Sequence, residues 1–373
     1  MNSKPTYRVI FSAGGTGGHI YPAIAVANAL KQELENVDIL FVGAEGKMEM
    51  EKVPKAGYKI IGLPVAGLQR RFAFSNLSFP FKLLKSLSRA RKIISDFNPH
   101  VVVGFGGYAS GPVLKRAQKS GIPTIVQEQN SFAGLTNKWL AKKAKKICVA
   151  YEKMDRYFPA DKITITGNPV RQDILDLSKK RDLGYTQFQL DPHKKTILII
   201  GGSLGARTIN ESILESLEKY KEANIQLLWQ CGKFYYQSLK SRLDTALYPH
   251  VHLNEFIYQM DLAYAVADVV ISRAGALSIS ELCVAGKASI LVPSPNVSED
   301  HQTKNAMALV EKDAAILVSD KEANEKLANE AIQLVEDEAK KNKLAIHAKE
   351  MGKPHAAKQI MEELLNAIDQ NDG

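Results

Sequence analysis

Two glycine-rich segments carry the residue types that bind phosphate. Residues 7–18, YRVIFSAGGTGG, and 196–206, TILIIGGSLGA, each run a β-prone stretch into glycines, and a helical pattern follows. Such a turn exposes backbone N–H groups at the positive end of a helix dipole, which suits a phosphate. The first is not a P-loop, because Gly-Gly-His-Ile stands where Lys-Ser/Thr is needed. A tight turn without a ligand is the alternative for either segment alone, but two in equivalent places favour two phosphate sites.

A histidine directly after the first segment has the type and place of a general base. His19 is expected near the N-terminus of a helix that carries Ile20, Ile24, Ala27 and Leu34. The helix dipole there disfavours the imidazolium, so the neutral ring is able to accept a proton. A histidine that only caps its own helix is the alternative.

Other polar candidates follow predicted strands. Glu281 lies more than one turn into the helix of segment 268–286, where a carboxylate can accept two hydrogen bonds from a vicinal diol such as a ribose. A solvated helix glutamate is the alternative. The segment QEQNS (127–131), and Gln302 and Asn305 in a predicted polar loop, lie where parallel sheets place ligands.

Positive charge is concentrated in the first half of the chain. Residues 1–170 contain 25 Lys+Arg and 11 Asp+Glu, a balance of +14, whereas the remainder contains 24 and 29, a balance of −5. No acidic residue lies between Glu51 and Asp96. Such a field concentrates anionic partners, and nucleic acid and anionic lipid both qualify.

Composition argues against several classes of protein. No run of about 18 apolar residues could span a membrane, and the first residues reach a strand too soon for a signal peptide. Cys148, Cys231 and Cys283 are far apart and odd in number, which fits a reducing cytoplasm better than a disulfide framework or a zinc site. His250 and His252 have no evident third ligand, so we expect no metal there.

Strand and helix patterns alternate along the chain, which predicts parallel sheets with helices on both faces. The predicted strands are 7–12, 38–43, 100–104, 123–127, 146–150, 162–166, 196–200, 225–230, 251–254, 268–272, 289–292 and 314–318. The charged segment 168–195 is the predicted linker between two domains. Residues 356–368 have apolar side chains at helical spacing and predict a final helix.

Seven motifs, taken in order, resemble those of one bacterial enzyme family. They are GGTGGHIYPA (14–23), GFGGYASGP (104–112), EQNSFAGLTN (128–137), GNPVR (167–171), GGSLGAR (201–207), SRAGALSISE (272–281) and DHQTKNA (300–306). The chain thereby resembles the MurG family of N-acetylglucosaminyltransferases, which complete the second lipid-linked intermediate of peptidoglycan synthesis. The resemblance implies an α/β fold of the GT-B type: two Rossmann-like, doubly wound parallel-sheet domains that face a cleft. Residues 1–168 plus 355–373 would bind acceptor and membrane, and residues 169–354 would bind UDP-GlcNAc.

The family moves GlcNAc from UDP-GlcNAc to the C4 hydroxyl of undecaprenyl-diphospho-MurNAc-pentapeptide, and the anomeric configuration inverts. The resemblance implies that Ser203 meets the diphosphate, Ile257 the uracil, Glu281 the ribose and Gln302 the sugar hydroxyls. The further donor residues it implies are Thr16, Gly17, Gly18, Asn130, Arg171, Ala276, Leu277, Ser278, Ile279 and Ser280. The acceptor diphosphate would lie near Gly14, Gly15, Gly104, Gly106 and Gly107.

An inverting displacement needs a base on the acceptor side, and His19 is the first candidate and Glu128 the second. The leaving UDP can be stabilised by the second glycine loop and its helix dipole. We therefore expect no cofactor and no metal.

The long prenyl tail of the acceptor requires an enzyme that docks on the membrane, and residues 65–92 have the composition for it. Seven cations and no acid accompany the apolar side chains, which favours an interface over a core segment. The apolar residues are Leu68, Phe72, Phe74, Leu77, Phe79, Phe81, Leu83, Leu84 and Leu87, and the cations are Arg70, Arg71, Lys82, Lys85, Arg89, Arg91 and Lys92. This predicts peripheral binding to the anionic cytoplasmic face of the cell (inner) membrane.

Three other functions compete with this interpretation. A GT-B diacylglycerol glycosyltransferase would share the donor half, but the motifs at 104–112 and 128–137 argue against it. A UDP-GlcNAc 2-epimerase has a similar pair of domains and needs no lipid. A nucleic-acid binder would explain the charge but not the two glycine loops or Glu281, so we expect no nucleic-acid partner. The family leaves room for contacts with other cell-wall synthesis proteins.

Overall fold

A computed structural model describes residues 6–65, 79–297 and 300–370. The chain divides into two compact units: unit 1 comprises Met1–Val170 and His355–Gly373, and unit 2 comprises Arg171–Pro354. The boundary lies two residues after the position, 168/169, that the sequence suggests.

Unit 1 is built on a parallel sheet of seven strands in the described ranges, with helices between them. Its strands are β1 (Tyr7–Ser12), β2 (Val37–Ala44), β3 (Lys59–Leu63), β4 (Val101–Gly104), β5 (Thr124–Glu128), β6 (Lys146–Val149) and β7 (Ile163–Ile165). Its first five helices are α1 (Gly17–Glu33), α2 (Glu49–Lys55), α3 (Phe79–Phe97), α4 (Ser110–Lys119) and α5 (Leu135–Ala141). Short 3-10 turns cover Met154–Arg156 and Ala160–Lys162.

Unit 2 repeats this architecture, with six strands among its described residues. They are β8 (Lys195–Ile200), β9 (Ile225–Gln230), β10 (Val251–Asn254), β11 (Val269–Ser272), β12 (Ser289–Leu291) and β13 (Ile316–Leu317). The helices are α6 (Arg181–Phe188), α7 (Arg207–Glu215), α8 (Leu217–Glu222), α9 (Tyr236–Arg242), α10 (Met260–Val266), α11 (Ala276–Ala285), α12 (His301–Val310), α13 (Ala323–Glu336) and α14 (Glu338–Met351). Short 3-10 turns cover Gln172–Ile174 and Asp320–Glu322.

The strand order places a switch point in each sheet. Unit 1 has the order β3-β2-β1-β4-β5-β6-β7, and unit 2 has β10-β9-β8-β11-β12-β13. Successive strands are therefore added in one direction from β1 (β2, then β3) and in the opposite direction from β4 (β5 to β7), and unit 2 does the same from β8 and β11. Ligands of doubly wound sheets bind beyond the carboxyl ends of the two strands at such a point. Both glycine loops singled out in the sequence follow these strands.

The central strands are apolar because helices cover both faces of each sheet. In β4 the side chains of Val101, Val102 and Val103 are fully buried, and β11 is equally enclosed. All twelve predicted strands are present, with ends within two residues of the prediction. The sequence prediction missed β3, an edge strand whose first three residues are exposed or half-buried.

The last helix, α15 (Ala356–Asp369), returns to unit 1, as predicted. Its apolar stripe of Ile360, Met361, Leu364 and Ile368 is buried in the core beside α1. At about 1.5–3 kcal/mol for each fully buried large apolar side chain, this contact anchors the C-terminus firmly.

The prediction of a linker over 168–195 is wrong for most of that segment. It contains α6, which packs against α10 within unit 2. Lys180 pairs with Asp261 at 2.8 Å and Arg181 with Asp268 at 3.0 Å, so the charges that suggested a solvated linker have partners on other elements. All three cysteines are buried and unpaired. No helix in the described ranges combines the length and apolar character that a membrane span needs.

Candidate active site

The loop after β1, Gly14–Gly18, is shaped by two different demands on glycine. Gly15 has a φ of +87°, a conformation that L-residues rarely adopt, and a Cβ there would meet nothing. Gly14 has no positive φ, but a Cβ there would overlap Oε1 of Glu49. The loop therefore needs one glycine for its turn and the other to make room for a carboxylate from α2.

His19 is the third residue of α1 and is held by the same loop. Its Nδ1 lies 2.8 Å from the carbonyl oxygen of Gly14 and 3.4 Å from Oγ1 of Thr16. A carbonyl oxygen only accepts, so Nδ1 carries the proton and the neutral ring keeps a lone pair on Nε2. This contact with Gly14 is not the helix cap that was the alternative, and Thr16, the N-cap residue, makes no side-chain cap bond either.

The loop after β4 packs directly against the first loop. Gly106 and Gly107 have φ values of +93° and +86°, and a Cβ at Gly107 would overlap the carbonyl of Gly14. A Cβ at Gly106 would lie 3.0 Å from Nε2 of His19. The loops that precede α1 and α4 are thus in contact, and His19 lies against Gly106. Gly104 is different: it ends β4 under Leu114, where a Cβ would lie at 2.7 Å, so its lack of a side chain serves packing.

Glu128, the second candidate base, is the hub of its own loop. Oε1 accepts from the N–H and side-chain amide of Asn130 at 3.1 and 3.3 Å. Oε2 accepts from the N–H of Gly134 at 3.0 Å and the amide of Asn137 at 2.9 Å. The side chain is almost fully buried. Four donors match the capacity of a carboxylate, so Glu128 fixes the conformation of residues 128–137.

The other polar residues at the end of β5 also serve the structure. The amide of Gln127 donates to Asn168 at 3.0 Å, and that of Gln129 donates to the carbonyl of Phe105 at 2.7 Å. Asn168 in turn donates to the carbonyl of Gln129 at 3.0 Å. All three amides are buried. Through the bond from Gln129 to Phe105, this network connects the 104–107 loop to the end of β5.

In unit 2, Glu281 lies on α11 in a cluster with Arg171, whose side chain is 36% exposed, and the buried Tyr264. Nε of Arg171 donates to Oε1 at 3.1 Å, and the hydroxyl of Tyr264 donates to Oε2 at 3.1 Å. Only 16% of the Glu281 side chain is exposed, so it is not the solvated helix glutamate of the alternative reading.

Burial sets the electrostatics of this cluster. It raises the pKa of Glu281, while the Arg171 cation opposes that shift. Burial alone would lower the pKa of Arg171, but the Glu281 carboxylate outweighs it and keeps the guanidinium charged. Tyr264, which sequence reasoning missed, has its pKa raised by burial and then by Glu281. The Glu281 carboxylate therefore lies between a charged guanidinium and a protonated phenol, which both donate hydrogen bonds to it.

The loop after β8, Gly201–Gly205, exposes Ser203 and precedes α7. Gly202 and Gly205 have φ values of +83° and +92°, and a Cβ at Gly205 would overlap the carbonyl of Cys231. The loop is therefore pressed against the turn after β9, which leaves Ser203 and the first N–H groups of α7 at the carboxyl end of the sheet.

The remaining donor candidates lie around the same end of this sheet. Ile257 is buried, and its N–H already donates to Gln230 at 2.8 Å. Its backbone carbonyl is therefore the group that remains to contact a nucleobase. Ala276, Leu277, Ser278, Ile279 and Ser280 form the start of α11, which follows β11 directly. Ser280 donates to the carbonyl of Ala276 at 2.9 Å.

The predicted polar loop around Gln302 and Asn305 is wrong, because both residues lie in α12. Oε1 of Gln302 accepts from the N–H of Ser294 at 2.9 Å, and Asn305 is fully buried. His250 precedes β10 and His252 lies within it; burial lowers the pKa of both. Among the described residues no group of three or more His, Cys, Asp or Glu could hold a metal ion.

Comparisons with known proteins match this chain along nearly its whole length. The glycosyltransferase family 28 N-terminal domain matches residues 9–149, and the C-terminal domain of the same family matches 196–360. A Parabacteroides distasonis protein named UDP-N-acetylglucosamine–N-acetylmuramyl-(pentapeptide) pyrophosphoryl-undecaprenol N-acetylglucosamine transferase is 53% identical, over 97% of this chain and 99% of its own. The crystal structure of Acinetobacter baumannii MurG is 29% identical, with a TM-score of 0.77 over 97% of this chain and 100% of that one. A UDP-GlcNAc 2-epimerase from Neisseria meningitidis, 17% identical with a TM-score of 0.67 over 97% of this chain and 100% of its own, shares the fold alone.

Proposed function

This chain belongs to glycosyltransferase family 28, and we propose that it transfers GlcNAc from UDP-GlcNAc to the C4 hydroxyl of undecaprenyl-diphospho-MurNAc-pentapeptide, with inversion at C1. The observation that carries the proposal is the 53% identity, over nearly the full length of both chains, to a transferase of that name. The fold alone would not decide, because a UDP-GlcNAc 2-epimerase has it too.

We assign the donor to unit 2. Glu281 accepts hydrogen bonds from the ribose hydroxyls, and Arg171 and Tyr264 fix the orientation of its carboxylate. The carbonyl of Ile257 faces the uracil, and Gln302 meets the sugar hydroxyls. We also retain Thr16, Gly17, Gly18 and Asn130 of unit 1 as donor residues, on the strength of their motifs.

The departing diphosphate is stabilised by the 201–205 loop. Ser203 is exposed and precedes the start of α7, beyond the carboxyl end of β8, which is where doubly wound sheets bind such ligands. Fixed N–H dipoles need no reorganisation as charge develops on UDP, so they favour the transition state over the ground state.

We assign the general base to His19 rather than Glu128. With Nδ1 bound to the Gly14 carbonyl, the lone pair of the ring lies on Nε2, beside the 104–107 loop. Glu128, in contrast, holds four N–H donors and would have to give one up to take a proton. We assign the acceptor diphosphate to the loops of Gly14–Gly15 and Gly106–Gly107, which precede α1 and α4 and touch one another.

We assign membrane binding to a basic groove in unit 1, formed by α3, α4 and α5. Its volume is about 420 Å³. The groove residues are Val65, Lys82, Leu83, Leu87, Tyr108, Gly111, Pro112, Lys115, Arg116, Lys119, Thr136 and Trp139. Trp139 is 52% exposed and carries the ammonium of Lys115 over its ring at 4.4 Å. An apolar floor with a cationic rim suits the anionic cytoplasmic leaflet of the cell membrane.

The groove includes residues outside the predicted segment 65–92 and excludes some within it. Leu84 is 65% exposed on α3, as an interfacial residue should be. Arg89, however, pairs with Glu45 at the end of β2, so the expectation of cations without counter-charges is wrong at that position. The predicted contributions of 66–78, and those of the Phe79 and Phe81 side chains, lie outside the described residues.

A transfer assay tests the proposed function. The full chain is incubated with UDP-GlcNAc labelled in the sugar and with vesicles that carry either undecaprenyl-diphospho-MurNAc-pentapeptide or diacylglycerol. We expect label in the lipid phase only with the first acceptor. Label in diacylglycerol, or release of a 2-epimer of the sugar without any lipid, would overturn the assignment.

A further inference from the structure

Glu49 belongs to none of the sequence motifs and is a fully buried carboxylate at the start of α2. In the parts of the chain that the structure describes, no Lys or Arg forms an ion pair with it. Oε1 instead accepts from the N–H of Ala44 at 2.9 Å, and Oε2 accepts from the N–H of Gly15 at 3.1 Å. Burying a carboxylate without a cation is costly, so its presence beside a catalytic loop asks for a reason.

The fold makes room for this carboxylate at two places. A Cβ at Gly14 would overlap its Oε1, and a Cβ at Gly43 would lie 2.5 Å from its Cγ. Neither glycine has a positive φ, so space, and not backbone conformation, accounts for both. The 14–18 loop and β2 therefore each leave space for the Glu49 side chain.

One peptide group connects Glu49 to His19. The N–H of Gly15 and the C=O of Gly14 belong to the same amide, whose N–H donates to Glu49 and whose C=O accepts from Nδ1 of His19 at 2.8 Å. An amide that donates to an anion has more electron density on its carbonyl oxygen, so the two hydrogen bonds strengthen each other.

We propose that Glu49 is a positioning residue that acts on His19 through the Gly14–Gly15 peptide. The relay keeps the proton of the neutral ring on Nδ1 and directs the lone pair of Nε2 toward the acceptor. It also stabilises the imidazolium that forms in the reaction, as a directly bonded carboxylate would, but across one amide. The proposal relies on the proposed function only for the role of His19 as the base.

The proton and the electrons balance as follows. The C4 oxygen of the acceptor forms a bond to C1 of GlcNAc, and its proton passes to Nε2 of His19. The electron pair of the breaking C1–O bond leaves with UDP. The imidazolium, stabilised through the peptide by Glu49, then releases the proton to solvent.

The charged residues of α1, Lys31 and Glu33, lie more than three turns along the helix from His19, and the cations of α4 begin at Lys115, in its second turn. Tyr21 on α1 and Tyr108 after the 104–107 loop bring hydroxyls rather than carboxylates. Glu128 at the end of β5 spends both oxygens on its own loop. Glu49 is the carboxylate that the hydrogen-bond geometry links to the ring.

The test is nitrogen–proton NMR of His19 in the full chain, without substrate, for wild type, Glu49→Gln, Glu49→Asp and Glu51→Gln. Glu51 is the matched control, because it lies on the same helix, is exposed and pairs with Lys55. We expect the Nδ1–H tautomer in the wild type. Loss of the negative charge in Glu49→Gln disfavours the imidazolium, so the His19 titration should move down by about 0.5–1 pH unit. Glu49→Asp should restore part of that shift, and Glu51→Gln should cause none.

Turnover gives a second readout. The acid limb of the kcat–pH profile should move down with the His19 titration in Glu49→Gln, while the KM for UDP-GlcNAc stays within about twofold. An Nε2–H tautomer in wild type, or an unchanged His19 titration in a folded Glu49→Gln, would overturn the relay. If Glu49→Gln does not fold, the wild-type tautomer and Glu49→Asp still decide. An inactive transferase with the expected titration shifts would instead overturn the proposed function and leave the relay standing.

Discussion

Glu128 offers the sharpest separation between a structural and a chemical role. Glu128→Gln keeps the shape of the side chain but replaces one acceptor oxygen by an NH₂ group. Two of the four N–H donors that now converge on the carboxylate would then face a donor. Leaving a buried donor unsatisfied costs about 1–3 kcal/mol. For two donors, with some relaxation of the loop toward water, we expect a loss of about 2–4 kcal/mol in the free energy of unfolding of unit 1.

The assay is hydrogen exchange of the Asn130 and Gly134 amides, combined with urea unfolding of the full chain. Both amides donate to Glu128 in the wild type and should be protected. They bind different oxygens, so in Glu128→Gln the one that faces the new NH₂ group should exchange faster. Glu362→Gln, which changes an exposed carboxyl on α15 of the same unit, is the control and should alter neither. A Glu128→Gln variant with normal exchange and normal stability, but with turnover reduced about a hundredfold or more, would refute the reasoning and make Glu128 the base.

Three further results are expected. Glu281→Gln should weaken UDP binding by about 1–3 kcal/mol in calorimetry. Ribose hydroxyls favour the ionised carboxylate, and burial raises its pKa, so the affinity of the wild type for UDP should fall as the pH drops through that pKa. Equal affinity of wild type and variant at every pH would count against ribose binding. Burial lowers the pKa of Lys287 to about 8, so the unfolded chain holds one more proton between about pH 8 and 10 and wild-type stability rises with pH there. Lys287→Met removes this titration together with the hydrogen bond that Nζ donates to the carbonyl of Ala267 at 2.9 Å, so the stability of the variant relative to wild type should fall by about 1–3 kcal/mol from pH 7 to pH 10. A pH-independent difference would contradict this. Leu84→Ser and Lys82→Glu should each reduce co-sedimentation with anionic vesicles about fivefold while UDP binding is kept. Co-sedimentation equal to that of wild type would show that α3 is not part of the membrane-binding surface.

Strands and glycine loops could be predicted because their signals are local. Apolar runs such as those of β4 and β11 are long enough to identify buried strands, and the loops that follow carry their glycines in the sequence itself. The strand β3 escaped because it is a half-exposed edge strand without such a run. The linker prediction failed because the partners of Lys180 and Arg181 are 81 and 87 residues away, which made two paired charges look solvated.

The site could be predicted in its residue types but not in its partners. His19, Glu128 and Glu281 were identified from their positions near predicted strand ends and helix starts, and the structure has His19 in α1, Glu128 as the last residue of β5 and Glu281 in α11. Which of them is available to a substrate depends on hydrogen bonds that no pattern encodes. Glu49 was missed because its partners are backbone N–H groups, and every residue except proline has one.

The central claim, that His19 is the base of a glycosyl transfer whose donor is bound by unit 2, is tested most directly by His19→Ala. Turnover with UDP-GlcNAc and the lipid-linked acceptor, and UDP affinity by calorimetry, are measured on the same preparation. The account predicts that kcat falls by about 10²–10⁴-fold, the usual contribution of a general base, while the Kd for UDP changes little. A kcat within a few-fold of wild type, or a loss of activity that is explained by weaker UDP binding, would contradict it.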